Sequence, residues 1–199
     1  MVIARQEIDV RIISGTARGT RLLSPGDISV RPTPDRVREA IFSIIFSRLG
    51  PLHGCKVLDL FSGTGAMALE ALSRGATRAW LVDSGEEAGR IIPTNIENCH
   101  CGDRATLIRR EAPAALGRLA NDAPYDLIFM DPPYGRGLIP PILAAIDQLQ
   151  LLAKAGLLVA ESGLTDQVPD AVGRLDCLER RRYGTTNIHL FTPTIPKGQ

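Results

Sequence analysis

The sequence predicts an α/β fold: a mostly parallel seven-stranded sheet with helices on both faces, preceded by an N-terminal β-hairpin extension. Three observations predict it. Apolar, strand-length runs alternate with helical stretches through most of the chain, which implies right-handed crossovers. A glycine turn, Ser62-Gly63-Thr64-Gly65, stands directly between a strand and a helix. Four acids, Asp59, Asp83, Glu111 and Asp131, fall at the carboxyl ends of successive strands, the rim where open parallel sheets bind ligands.

Taken in order, residues 10–13 and 20–23 read as two short strands around a Gly15–Gly19 turn, giving the hairpin. Residues 24–33 are rich in Pro and Gly and are expected as loop. Pro34 suits a helix's first turn, with Thr33 as N-cap and Val37, Ile41, Ile44 and Ile45 as the buried stripe, ending near Gly50. The first buried strand is 57–61. Residues 66–72 have helix-forming composition, with Arg74-Gly75 as a stop. Strands at 79–82, 105–109, 127–130 and 156–160 then alternate with helices at 86–98, 112–121 and 138–152. Strands at 177–183 and 187–192 close the sheet as a hairpin around Gly184.

Composition narrows the function classes. At 199 residues and 44% apolar, the chain can bury one full core. No apolar run approaches the ~20 residues of a membrane span and no charged-then-apolar leader opens the chain, so a cytoplasmic location is expected. Cys55, Cys99, Cys101 and Cys177 lack the paired spacing of a metal site, and Cys99-His100-Cys101 has no second cluster to complete one. They are expected as free thiols, with no metal. Net charge is +1, but between Arg11 and Arg38 six arginines face only Asp27 and Asp35. Arginine outnumbers lysine 20 to 3 throughout, which genome composition partly explains. Guanidinium groups also grip phosphates bidentately and stack on bases. Arg180-Arg181-Arg182 is either a second phosphate contact or a solvated strand edge.

Two motifs carry the chemistry. Strand, glycine turn and helix in sequence bring backbone N–H groups close to a ligand. Asp83, eighteen residues after Gly65, then ends the second strand, where an acid accepts hydrogen bonds from a ribose diol. Gly63 to Ala68 also matches a loose dinucleotide fingerprint. Asp59 separates the two readings: a carboxylate four residues before Gly63 repels a pyrophosphate but suits a cationic sulfonium ligand with a free ammonium group. The second motif is Asp131-Pro132-Pro133-Tyr134, delivered by the apolar run before it. Its two prolines fix φ and donate no N–H, leaving stiff carbonyl acceptors beside a carboxylate and an aromatic face. That set suits a planar, amino-bearing ring, though the same four residues also make an ordinary strand-ending turn.

At this separation the two motifs resemble those of Rossmann-like class I S-adenosylmethionine-dependent methyltransferases that modify exocyclic amines of nucleobases. Arg11-Ile12-Ile13-Ser14-Gly15, Arg18-Gly19 and the stretch from Arg31 to Phe42 are similar to the bacterial 16S rRNA guanine-N2 methyltransferases, over nearly the whole chain. The resemblance implies methyl transfer to N2 of a guanine of the position-966 type in the small-subunit rRNA. Asp131, Pro132, Pro133 and Tyr134 would be the catalytic tetrad. Thr33, Arg36, Asp59, Phe61, Ser62, Gly63, Gly65, Asp83, Glu111 and Ala112 would hold S-adenosylmethionine. Arg11, Arg18, Arg21, Arg31, Arg38 and Arg136 would contact RNA. Glu111 stands where the family more often has Asp or Asn, and Asp83 where a Glu is frequent. Residues 1–33 would then be an RNA-contacting extension and 34–199 the methyltransferase domain, acting as a monomer on 16S rRNA or a small-subunit assembly intermediate. The alternatives are an N6-adenine DNA methyltransferase, a non-catalytic RNA-binding assembly factor with the same fold, and last an NAD-dependent oxidoreductase.

Overall fold

The computed structural model describes residues 10–24 and 34–194. Its main sheet has eight strands in the order β5-β4-β3-β6-β7-β10-β9-β8. The parallel part comprises β3 (Lys56–Leu60), β4 (Arg78–Val82), β5 (Ala105–Ile108), β6 (Tyr125–Met130) and β7 (Leu152–Gly163). Antiparallel β10 (Thr186–Pro193) and β9 (Leu175–Tyr183) extend it as the expected hairpin. The eighth strand, β8 (Ala171–Val172), is a two-residue edge piece beyond the seven expected.

Helices cover both faces because the strand residues alternate. Val57, Leu81, Leu127, Phe129 and Val159 pack with Ile41, Phe42, Leu69, Leu72 and Ile92, from α1 (Asp35–Leu49), α2 (Ala66–Ser73) and α3 (Glu86–Asn98). Leu58, Val82, Ile128, Met130 and Leu158 pack on the other face with Leu116, Leu119, Ile142 and Leu143, from α4 (Ala112–Leu119) and α5 (Ile139–Gln148). Strands buried on both faces are apolar at nearly every position, which is why their sequences lack clean alternation. Among the described residues no helix is long and apolar enough to cross a membrane, and no cluster of three or more His, Cys, Asp or Glu could hold a metal.

The N-terminal hairpin, β1 (Val10–Arg11) with β2 (Arg21–Leu22), is part of this core. Val10, Ile12 and Leu22 bury their side chains against the α1–α3 face. The buried Glu70 of α2 accepts the Ile13 N–H at 2.7 Å and the Ser14 N–H at 3.0 Å, and pairs with Arg74 at 2.7 Å. Helix α1 starts one residue later than predicted: Pro34, in extended conformation, occupies the cap position. Thr33, the expected cap, lies outside the described residues. Helix α5 stops at Gln148 rather than 152, because Gln150 turns into the left-handed region (φ 52°) and sends the chain into β7.

Candidate active site

The carboxyl rim of the parallel strands gathers most of the predicted site. After β3, Phe61 takes a positive φ of 66° and reverses the chain. The Ser62 N–H then donates to the Val82 carbonyl at 3.0 Å and its Oγ to the Asp59 carbonyl at 2.7 Å, holding the turn against β4. Gly63 (φ 54°) donates its N–H to Asp83 Oδ2 at 2.8 Å, while Asp83 Oδ1 accepts the Gly85 N–H at 2.8 Å. Gly65 is required twice. Its φ of 79° is left-handed, and a Cβ would stand 2.9 Å from Leu81 Cδ2. Nothing lies within 4 Å of where a Gly63 Cβ would be, so backbone faces open space there.

Asp59 does more than the sequence implied. Its Oδ2 accepts the Ala68 N–H at 3.2 Å, so it satisfies one of the orphan donors in the first turn of α2 from a neighbouring strand. Only 4% of Asp59 is exposed. Burial pushes its carboxyl up to about 7, against the lowering effect of the Ala68 hydrogen bond and with a smaller upward push from Asp83. A buried acid poised this way gains from a cation beside it.

Next to β3, the end of β6 supplies the proline-stiffened corner. The Asp131 N–H reaches the Leu60 carbonyl at 3.4 Å, so the corner leaves the sheet beside the glycine turn. Pro132 is buried, while Asp131, Pro133 and Tyr134 open to solvent. Protein packed around the Asp131 carboxyl on its inner side nevertheless strips part of its hydration. That desolvation, then the Glu161 carboxylate and then Asp59, hold Asp131 well above the usual carboxylate range. Tyr134 donates its hydroxyl to Glu161 Oε1 at 2.6 Å and lies 3.2 Å from Thr186 Oγ1. Burial and the Glu161 acceptor both raise the phenol. Asp166 then clamps the loop, accepting the Gly135 N–H at 2.7 Å and the Gly163 N–H at 2.9 Å. A Cβ on Gly163 would stand 3.2 Å from Tyr134 Cγ and Cδ2, so one ring edge rests on bare backbone. Tyr134 remains 47% exposed.

Other predicted residues sit further out. Glu111 is exposed at the cap position of α4 without a capping hydrogen bond, and Ala112 behind it is buried. Arg36 is exposed on the first turn of α1. Arg11, Arg18, Arg21 and Arg136 are exposed, with Arg11 3.2 Å from Asp35. Arg31, like Thr33, lies outside the described residues. Arg38 is a correction. It is 1% exposed, donating to the Arg11 carbonyl at 2.6 Å and to Asp35 at 2.7 Å, so it braces α1 against β1 and presents no surface for RNA phosphate. In Arg180-Arg181-Arg182, Arg180 pairs with Asp170 and Arg181 with Glu179, as on a solvated strand edge.

Four contributors escaped the sequence reading: Glu161, Gly163, Asp166 and Asn95. Glu161 was legible by the rule that singled out the other acids, since it follows directly on the fifth strand run. Asn95 had no local signal. It is fully buried, exchanging hydrogen bonds with both backbone groups of Leu23 and donating to the Thr64 carbonyl at 2.9 Å, so it ties the hairpin's exit to the glycine turn.

Comparison with known proteins agrees with this architecture. The family model described as "Conserved hypothetical protein 95" matches residues 10–192. A Bacillus subtilis protein named "Putative rRNA methyltransferase YlbH" is 34% identical over 184 residues, covering 92% of this chain and 98% of its own. Ribosomal RNA small subunit methyltransferase D of Escherichia coli K12 is 33% identical over 161 residues, 80% of this chain and 78% of that one. The solved structure called "Putative methyltransferase yhhF from Escherichia coli" superposes with a TM-score of 0.79 at 29% identity, over 94% of this chain and 98% of the other. The eight-stranded sheet is therefore a class I methyltransferase fold. On the strength of the match over residues 10–192, the chain belongs to the conserved hypothetical protein 95 family, the family of ribosomal RNA small subunit methyltransferase D.

Proposed function

We propose that this protein transfers a methyl group from S-adenosylmethionine to the exocyclic N2 of a guanine, of the position-966 type, in 16S rRNA of the small ribosomal subunit. One observation carries the reading: the acceptor corner and the glycine turn leave adjacent strands together, joined by the Asp131–Leu60 hydrogen bond. The relatives named as rRNA methyltransferases support the substrate class.

The residues present suit the donor. Asp83, at the end of β4, takes the ribose in this reading, and the open backbone of Gly63 allows close approach. The buried Asp59 carboxylate favours the cationic methionine end. When bound, S-adenosylmethionine supplies a methyl group already activated by a sulfonium, so strong base catalysis is not needed. The chain's task is alignment. The guanine N2 lone pair is delocalised into its ring. Asp131 and the Pro132 carbonyl accept hydrogen bonds from its two N–H groups and draw the nitrogen toward tetrahedral geometry; once methylated, the nitrogen sheds its extra proton to water. Tyr134 stacks on the base, which must leave its helix or loop to enter. Alignment of this kind lowers a barrier by several kcal/mol. Arg11, Arg18, Arg21 and Arg136 supply phosphate contacts. The enzyme is proposed to act in the cytoplasm as a monomer on rRNA or a small-subunit assembly intermediate.

The test is to incubate the protein and labelled donor with small subunits, free 16S rRNA and genomic DNA from cells lacking it, and map the product. A single N2-methylguanine is expected. Asp131→Ala should lower transfer on the order of a hundredfold or more while S-adenosylhomocysteine binding stays near normal. Label appearing on DNA adenine, or undiminished turnover in the variant, refutes the proposal.

A further inference from the structure

The last register pair between β6 and β7 is Met130 with Ala160. Asp131 and Glu161 each follow by one residue, so the two acids stand side by side where β6 ends against β7, which runs on to Gly163, at the roughly 4.8 Å spacing of adjacent strands. Two carboxylates at that spacing repel each other, and, after burial, Glu161 is one of the groups that raise the Asp131 carboxyl. Glu161 Oε1 accepts the Tyr134 hydroxyl at 2.6 Å, which fixes the glutamate head at the corner beside the aromatic face. A carboxylate offers about four lone-pair sites, more than the Tyr134 hydroxyl occupies.

A pair of acids at one corner fits a ligand edge made of adjacent donors. Guanine has such an edge, N1–H next to the N2 amine. Adenine carries an unprotonated, accepting N1 beside its amine, and an accepting nitrogen facing a carboxylate is repelled. We infer that Glu161 is the specificity-determining residue of the acceptor pocket: it accepts the N1–H of guanine while Asp131 and the Pro132 carbonyl hold the N2 amine. The inference rests on the function proposed above and deepens it, giving the reason this corner takes guanine in place of adenine. The raised Asp131 carboxyl, for which Glu161 is the second cause after burial, agrees with an acid pair whose repulsion a donor edge relieves.

The discriminating probe is 2-aminopurine, which keeps the N2 amine but has an unprotonated N1. The rRNA that accepts methyl in the mapping experiment is made with guanine or 2-aminopurine at the modified position. Methyl transfer to each is measured with wild-type protein and with Glu161→Gln. Glutamine keeps an oxygen for the Tyr134 hydroxyl and adds an amide able to donate to an unprotonated N1. Wild type should prefer guanine by about 10- to 100-fold in kcat/KM, the range for one hydrogen bond to a charged acceptor. In Glu161→Gln the preference should collapse toward unity, with S-adenosylhomocysteine binding unchanged by calorimetry. An equal loss on both substrates means that Glu161 only supports the fold, and an unchanged preference means that it does not touch N1; either overturns the inference. Wild-type protein inactive on guanine as well sinks the proposed function, and this inference with it.

Discussion

Asp83 Oδ2 accepts the Gly63 backbone N–H at 2.8 Å, so the acid that ends β4 also shapes the turn that follows β3. One side chain therefore serves two strands. Asp83→Ala removes the proposed ribose acceptor and frees the turn together, and S-adenosylhomocysteine affinity should fall about 10- to 100-fold. Isothermal titration calorimetry checks this. An unchanged affinity would show that the donor does not sit over Asp83.

Asp59 should make both stability and donor affinity depend on pH. Its folded-state carboxyl is raised to about 7, against roughly 3.9 in an unfolded chain, so the folded protein binds the extra proton between those values. Stability is then greatest at low pH with respect to this group, declines from about pH 4 to about 7, and is flat above. Asp59→Asn should remove that dependence and gain up to about 4 kcal/mol at pH 8 in urea unfolding, while losing affinity for the cationic donor. Wild-type affinity for S-adenosylmethionine should instead climb as pH rises through about 7. Parallel stability profiles in wild type and variant would disprove the assignment.

The Tyr134 ring crowds the place a side chain on Gly163 would take. In Gly163→Ala the new Cβ, 3.2 Å from ring carbons, displaces the ring by a few tenths of an ångström. Transfer should slow roughly tenfold, since small misplacements of an aligning group are costly. Donor binding should be untouched. Wild-type kcat in this variant would mean that Tyr134 does not position the base.

Gly15 is the tightest approach between the hairpin and α2. Its φ is 88°, and a Cβ would lie 1.9 Å from the Ser73 carbonyl oxygen, a backbone atom that cannot step aside. Gly15→Ala should cost more than about 2 kcal/mol by urea unfolding and loosen residues 10–24, seen as faster amide exchange there. A loss within ~0.5 kcal/mol would show that the hairpin contributes little to the fold.

The fold was largely legible because each element carries its own local signal. Helix α3 was read to the residue, from the run between Gly85 and Cys99. The α5 boundary was not, because Leu149, Leu151 and Leu152 prolong the apolar pattern and the stop is made by a glutamine in left-handed conformation. Arg38 was misplaced because its residue type suggests a surface. Its spacing, three before Ile41 and four before Phe42, sets it on the buried stripe, and that period was the better guide.

By itself the sequence determined the alternation of strands and helices, the glycine turn and the acid-tipped strand ends, since periodicity and turn chemistry act over a few residues. Only the tertiary structure decided which polar groups meet. Glu70 receives Ser14 across 56 positions, Asn95 receives Leu23 across 72, and Glu161 takes the Tyr134 hydroxyl across 27. Those pairings follow from sheet register and from how helices dock on it, and no local pattern encodes either. Arg38 shows the same division: its place on the apolar stripe is sequence, while its burial against the Arg11 carbonyl exists only once the hairpin has docked.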